Sequence, residues 1–394
     1  MLILKILFWL LIFIVFYAYV GYGIVLFMLV KLKRIFKNAP SPTLAPSDED
    51  LPDVTLLVAA YNEEDYIEEK IQNSLALHYP NQKLKFLFIT DGSDDNTPNI
   101  VKRYETIHLM HEPARRGKIA AVERAMPFVQ TEIIVFTDAN TMLNPDAIYN
   151  MVRHYSDPKV GAIAGEKRIQ VEEKDNASGA GEGFYWRYES KLKTWDSEWY
   201  SVVGAAGELF SIRKSLFEPV PSDTLIEDFY LTLSIAKKGY RVVYEPQAYA
   251  LEGPSASVGD ELKRKIRIAA GGIQAIVRLK GLLNVFKYGR LSFQYISHRV
   301  LRWTAAPIAL PLILILNIML AATGSIFYQG ILALQVLFYL LALAGYFLAQ
   351  RDLKVKIFFI PYYFCMMNYA VYRGMIRYAK GSQSVLWEKA KRKQ

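Results

Sequence analysis

The sequence predicts an α/β domain with a parallel sheet, carried between hydrophobic helices that span or line a membrane. Three observations lead there. Apolar, β-branched runs alternate with helical patterns from residue 54 to 165, as expected of a parallel sheet with crossover helices. Hydrophobic residues make up 52% of the 394-residue chain, and the excess sits at residues 2–30 and 300–372. Basic residues gather beside those segments, at Lys31, Lys33, Arg34 and Lys37 and in the tail at Lys389, Lys391, Arg392 and Lys393.

In chain order, residues 1–38 read as a transmembrane anchor. Lys5 is the only charge within residues 2–30. The run exceeds the roughly 7–15 apolar residues of a signal-peptide core and suffices for the about 20 residues of a span. Its basic flank belongs on the inner side of the membrane, so the following domain is expected to be cytoplasmic, on a multi-pass protein of the plasma membrane. Residues 39–52 (APSPTLAPSDEDLP) form a Pro/Ser-rich, then acidic, linker. The α/β domain occupies 53–260. At 261–303, apolar residues recur at helical spacing between Lys and Arg, the pattern of amphipathic helices lying on membrane lipids. Residues 304–394 comprise C-terminal transmembrane helices and the basic tail, with candidate spans at 304–323, 328–349 and 355–373. Three crossings put the tail outside, against its basic charge. One segment is therefore expected to re-enter or lie along the surface, and Tyr362, Tyr363 and Asn368 make the last the weakest span. The tail is expected to be cytoplasmic. The net charge of +9 is explained by this membrane flanking. No nucleic-acid module is present, and nucleic acid is not an expected partner. The single cysteine, Cys365, excludes an intrachain disulfide.

Within the domain, VTLLVAA (54–60), KFLFIT (85–90), IHLMH (107–111), EIIVFT (132–137) and VGAIAG (160–165) read as strands. Helical patterns fall at 63–77, 97–105, 117–126 and 145–154. Ligands of such sheets bind outside the carboxyl ends of the strands, and polar residues cluster there: Tyr61-Asn62-Glu63-Glu64, Asp91-Gly92-Ser93-Asp94-Asp95 and Asp138-Ala139-Asn140. Any one of these is compatible with a helix N-cap. Together they point to a shared acidic site. Carboxylates without Cys or His favour a hard divalent cation, Mg²⁺ or Mn²⁺, which binds substrate phosphates alongside few protein ligands. Lys118, after Arg116 and Gly117 at a helix start, suits a phosphate or stands as a solvated lysine. No Gly-Lys-Ser/Thr phosphate loop is present, which disfavours a nucleoside-triphosphate hydrolase.

At these residues the chain resembles family 2 glycosyltransferases of the GT-A (nucleotide-diphospho-sugar transferase, Rossmann-like) fold. The likeness runs from about residue 54 to 270 through VAAYNEE, TDGSDDNT, Arg116-Gly117-Lys118, FTDAN, GEGFYWRYE (181–189), GAAGELFSIRK (204–214), IEDFYLTLSIAKKGYRVVYEP (226–246) and ELKRKIRIAAGG (261–272). The later tracts resemble the membrane-bound branch that makes cellulose, poly-N-acetylglucosamine and hyaluronan. The resemblance implies an inverting hexosyltransferase that takes a sugar from a nucleotide-diphosphate donor, a UDP-sugar by preference. The acceptor it implies is a growing exopolysaccharide or cell-wall glycan, or a lipid-linked one, with a synthase or export subunit as a further partner. It implies donor contacts at Ala60, Tyr61, Glu63, Asp91, Lys118 and Asp138, with Asp91 at the nucleobase. Asp138 and Asn140 would hold the cation, Asp228 would be the catalytic base, and Glu227 would orient it or the acceptor. Arg264 and Arg267 would meet the donor diphosphate or lipid phosphates. Two departures stand out. The metal motif ends in Asn140 rather than Asp, and the processive enzymes' Gln-x-x-Arg-Trp element reads Arg264-Lys265-Ile266-Arg267-Ile268 here. A subunit that keeps the fold without turnover is the alternative outside enzymes.

Overall fold

The computed structural model describes residues 1–36, 49–169, 179–253, 258–351, 353, 355–382 and 384, with side chains from 187 onward in the helix that begins at 179. Most of the expected linker, Lys37 and the basic residues at 389–393 lie outside the described residues. The chain divides into two compact units. One comprises residues 1–29, 171–192 and 255–383, and the other residues 30–170, 193–254 and 384–394.

The second unit is built on one sheet. Its strands are β1 (Val54–Ala60), β2 (Leu84–Asp91), β3 (Ile107–Glu112), β4 (Ile133–Asp138), β5 (Thr141–Leu143), β6 (Val160–Ile169), β7 (Leu209–Arg213) and β8 (Arg241–Glu252). They lie in the order β3-β2-β1-β4-β7-β6-β8-β5. The first four are parallel, and each coincides with an apolar run of the sequence. β1 is almost wholly buried because helices cover both faces. The helix Ile67–Leu75 packs Ile67 and Ile71 into the core against Val54, Leu56 and Val58 of β1.

The sheet is mixed where the alternating pattern predicted only parallel strands. β7 enters between β4 and β6 and runs antiparallel to both. It follows the helix Gly179–Trp199 but returns antiparallel, outside the repeat of parallel strands, so the alternation does not register it. Its place is fixed by packing: Phe136 of β4 and Phe210 of β7 stack with ring centroids 4.6 Å apart.

The loop ahead of β7 depends on a glycine. Gly204 has φ +88°, and a Cβ there would lie 2.0 Å from Cδ2 of Phe229. Phe229 stands in the first turn of the helix Glu227–Lys237, and Ala205 N–H donates to Thr232 Oγ1 of that helix at 3.0 Å. The loop thus closes directly onto the helix start. Gly204→Ala is expected to lower unfolding free energy by at least about 1–3 kcal/mol from backbone strain alone, read as a fall in thermal midpoint.

The first unit is helical. Leu2–Phe36 is 35 residues long and Ile326–Ala349 is 24, and both are apolar enough to cross a membrane. Arg290–Trp303 and Ala305–Ala321 pass the same test as a pair, bent by 50°. The bend falls at Thr304, and Pro307 lacks the N–H that would bond the Trp303 carbonyl. Lys356–Ala379 is long enough to span but is not among the segments apolar enough to do so. Its polar groups are engaged: Tyr19 Oη donates to Asn368 Oδ1 at 2.7 Å. The amphipathic helix Val258–Arg278 packs closely on it, so that a Cβ on Gly374 would lie 2.7 Å from Ala269 Cβ.

Candidate active site

The carboxyl ends of β1, β2 and β4 share one edge. Ala59 is level with Asp138, Ala60 with Thr90, and Asp91 with Glu112. A pocket opens there, lined by Ala59, Ala60, Tyr61, Ile89, Asp91, Arg115, Gly117, Lys118 and Ala121. Parallel strands leave this edge free for loops, so one short turn per strand delivers a functional side chain.

Asp91, the last residue of β2, is buried, with 5% of its surface exposed. Its Oδ2 accepts the backbone N–H groups of Arg116 at 2.8 Å and Gly117 at 2.6 Å, which begin the helix Lys118–Ala125. Oδ1 lies 3.4 Å from the Arg124 guanidinium. The carboxylate thus anchors the loop that carries Arg115 and Lys118 and forms one wall of the pocket. Tyr61 forms another, its ring under the Arg115 guanidinium at 3.7 Å, a cation–π contact that presents a flat surface.

Several of the remaining acids of the first two motifs bond across the two loops. Asn62, at φ +53°, exchanges hydrogen bonds with Asp94, donating to its Oδ1 at 2.6 Å and accepting from its N–H at 3.0 Å. Glu64 N–H donates to Asp95 at 3.1 Å, and Asn96 N–H to Glu64 at 3.0 Å. Glu63 starts the next helix: its N–H donates to Thr97 Oγ1 at 2.9 Å and its carbonyl accepts from Ile67 N–H at 2.8 Å. These acids lock two loops together. Among the described residues, no group of three or more His, Cys, Asp or Glu side chains is arranged to hold a metal ion by itself. Of the expected acidic cluster, the Asp94, Asp95 and Glu64 carboxylates are engaged in loop closure.

The centre of the site is a lysine. Lys118 Nζ donates to Asp138 Oδ1 at 2.7 Å and pairs with Glu227 Oε1 at 3.0 Å. A Cβ on Gly207 would lie 3.5 Å from both Lys118 Nζ and Asp228 Oδ2, so the glycine loop covers the same point. Burial pulls the Lys118 ammonium down, but Asp138, Glu227 and Asp228 together outweigh it and hold the group above the ordinary lysine value. Asp228 is buried in turn. Burial pushes its carboxyl up to about 7, with Glu227 adding to the rise and Lys118 opposing it. A carboxylate of that proton affinity suits general base work near neutral pH.

Asn140 lies half-buried in the two-residue turn joining β4 to β5, two positions from Asp138. A carboxylate and an amide oxygen there are hard donors, and they fit a divalent cation that takes its remaining ligands from a diphosphate and water. Arg264 and Arg267 belong to the other unit. Both stand on the helix Val258–Arg278, where Arg264 pairs with Glu261 at 3.2 Å.

One residue of this region escapes the motifs. Lys70 is fully buried on the helix Ile67–Leu75. Its Nζ donates to Thr137 Oγ1 at 3.0 Å and to the Thr141 carbonyl at 2.6 Å. Burial lowers its ammonium to about 7, against an opposing pull from Asp138. The signal for it is periodicity: Ile67, Lys70, Ile71 and Ser74 form the buried stripe of the helix, and a lysine on such a stripe calls for a reason.

A mixed sheet with four parallel strands, a pocket at their carboxyl edge and acidic residues closing it define a GT-A-like fold. Residues 55–220 match the family model described as glycosyl transferase family 2, and this segment is a family 2 glycosyltransferase domain. The chain is 29% identical over 241 residues to the poly-beta-1,6-N-acetyl-D-glucosamine synthase of Staphylococcus aureus strain MSSA476, covering 58% of this chain and 57% of that protein. It is 26% identical over 246 residues to the synthase of the same name from Staphylococcus epidermidis, covering 57% and 56%. The matches thus span a little over half the length of these relatives. In three dimensions the chain is similar to a mannosyltransferase, PcManGT, from Pyrobaculum calidifontis, solved in complex with GDP-Man and Mn²⁺. The TM-score is 0.70 at 24% identity, over 96% of this chain and 100% of that one. At this identity the likeness establishes the fold.

Proposed function

We propose that this protein is a membrane-bound inverting glycosyltransferase that moves a sugar from a nucleotide-diphosphate sugar, by preference a UDP-sugar, to a growing exopolysaccharide or cell-wall glycan. The observation that carries the reading is the cluster of Lys118, Asp138, Glu227 and Asp228 beside the pocket walled by Tyr61 and Asp91. The nucleobase would lie between Tyr61 and Asp91, with Ala60 at the strand end beneath it. Lys118 would face the diphosphate. Asp138 and Asn140 would hold Mg²⁺ or Mn²⁺, which supplies charge stabilisation to the departing diphosphate when bound. Asp228 would take the proton of the acceptor hydroxyl as its oxygen attacks the anomeric carbon and the bond to diphosphate breaks with inversion. Glu227, sharing Lys118 with Asp138, would orient the pair. Arg264 and Arg267 would meet donor or lipid phosphates. The staphylococcal relatives' name favours a β-linked polysaccharide as product, and the Mn²⁺ of the mannosyltransferase favours the cation.

For the membrane, the reading is a plasma-membrane protein with the sheet domain on the cytoplasmic side. Counting the bent pair as one span, two crossings follow the domain. An even number returns the basic tail to the domain's side, in keeping with its charge. Lys356–Ala379 would then lie against the membrane surface or re-enter it.

The altered stretch Arg264–Ile268 favours a second reading, transfer of a single sugar to a polyprenyl-phosphate or other lipid acceptor. Purified protein incubated with labelled UDP- and GDP-sugars and Mn²⁺, followed by product sizing, decides between them. A ladder of polymer supports the first reading and a single-sugar lipid product the second. Neither binding nor turnover of any nucleotide sugar would leave only a non-catalytic subunit of a synthase complex.

A further inference from the structure

Lys70 has no place in the chemistry above, yet the fold buries its charge-bearing group completely. Burying an amine is unfavourable unless it is well bonded, and an apolar side chain of similar size at such a position is often neutral or stabilising. Stability therefore does not account for a lysine there. Its bonds do. Nζ reaches the side chain of Thr137, just before Asp138, and the carbonyl of Thr141, just after Asn140. It therefore grips both ends of the turn that carries the two cation donors. The knot extends further. Thr137 Oγ1 also bonds the Glu208 carbonyl at 3.0 Å and Thr141 Oγ1 at 3.1 Å, and Thr141 Oγ1 donates to the Asp138 carbonyl at 3.0 Å. Glu208 follows Gly207, the residue that covers Lys118 and Asp228.

We infer that Lys70 is a positioning residue for the cation–diphosphate half of the donor site, tying the Asp138–Asn140 turn and the Gly207 loop to the helix that follows β1. It touches no substrate and acts through the turn, as an outer-shell partner acts on a metal ligand. The inference rests on the proposed donor and cation reading. It makes a specific demand: Lys70 Nζ bonds the two ends of the Asp138–Asn140 turn and neither Tyr61 nor Asp91, so the nucleobase end of the pocket should not feel its loss.

The test uses the full-length protein in detergent and its Lys70→Met variant. UDP, with GDP in parallel, is titrated with and without Mn²⁺, and thermal unfolding is recorded for both proteins. The expected result is that Mn²⁺-dependent enhancement of nucleotide affinity falls by about 10–100-fold in the variant, while cation-free affinity stays within about twofold. The thermal midpoint should stay within about 3 °C. An undiminished Mn²⁺ enhancement in the folded variant overturns the inference, as does an equal loss of cation-free and cation-dependent binding, which marks a merely structural lysine. Should Lys70→Met not fold, Thr137→Val, which removes the hydroxyl at the centre of the knot while keeping its shape, decides by the same two outcomes. A wild-type protein that binds neither nucleotide overturns the functional reading itself. One that binds with no response to Mn²⁺ overturns the cation assignment and this inference with it.

Discussion

Asp228→Asn is expected to reduce kcat by about 10²–10⁴-fold, the span of a general base, with donor KM little changed. The amide keeps the size of the side chain but cannot accept a proton. Steady-state kinetics with the donor identified by the turnover screen measures both quantities. A variant with unaltered kcat would remove Asp228 from the chemistry. The wild-type pH profile carries the same assignment. A base works when ionised, so activity is present above its pKa and falls as pH drops through it. Burial and Glu227 place that point at about 7 for Asp228, well above an ordinary aspartate. The acidic limb of kcat is therefore expected near neutrality rather than near pH 4. Glu227→Gln removes a negative charge that raises the Asp228 value, so it should move the limb to lower pH. A limb that stays in place would mean that another group controls it.

Lys118→Met is expected to damage both stability and catalysis. The lysine is the shared partner of Asp138 and Glu227, with side-chain exposures of only 14% at Lys118 and 17% at each carboxylate. Removing one partner of a buried pair costs about 3–5 kcal/mol, and the residual exposure puts the expected loss toward the lower figure. Loss of a preorganised donor facing developing charge lowers kcat by about 10²–10³-fold. Two signatures distinguish this from general disruption. Lys118 lowers the Asp228 value, so the acidic limb should move to higher pH, opposite to Glu227→Gln. Mn²⁺ should restore part of the lost thermal stability, because a cation at Asp138 neutralises the charge the lysine leaves behind. A variant whose melting ignores Mn²⁺ would count against Asp138 as a ligand.

The parallel half of the sheet was legible because buried parallel strands are continuous apolar runs, as in VTLLVAA, KFLFIT and EIIVFT, whereas the edge strand IHLMH is short and only partly buried. The strand-end acids were legible as a group, since a strand end in such a sheet is a turn with polar residues. Their division of labour was not. Asp91 and Asp94 look alike in TDGSDDNT, yet one receives the amides of Arg116 and Gly117 and the other clasps Asn62. Those partners are about 25 and 32 positions distant in the chain, and sequence spacing carries no record of them. Lys70 was missed for a related reason. No motif includes it, and only its position on the Ile67–Ile71 stripe marks its burial.

By itself the sequence determined the kind of protein this is. Run length and charge gave apolar helices flanked by basic residues, and alternation gave the α/β domain. The ordered motifs gave the resemblance to family 2 glycosyltransferases, since motifs are local and read off in order along the chain. Only the tertiary structure decided that β7 runs against its neighbours, that one lysine holds the Asp138 and Glu227 carboxylates together, and that a second lysine is sealed beneath the Asp138–Asn140 turn. Those features depend on which distant groups meet in a region from which water is excluded. Charge pairing and proton affinity there follow from packing, and packing is settled by the whole fold.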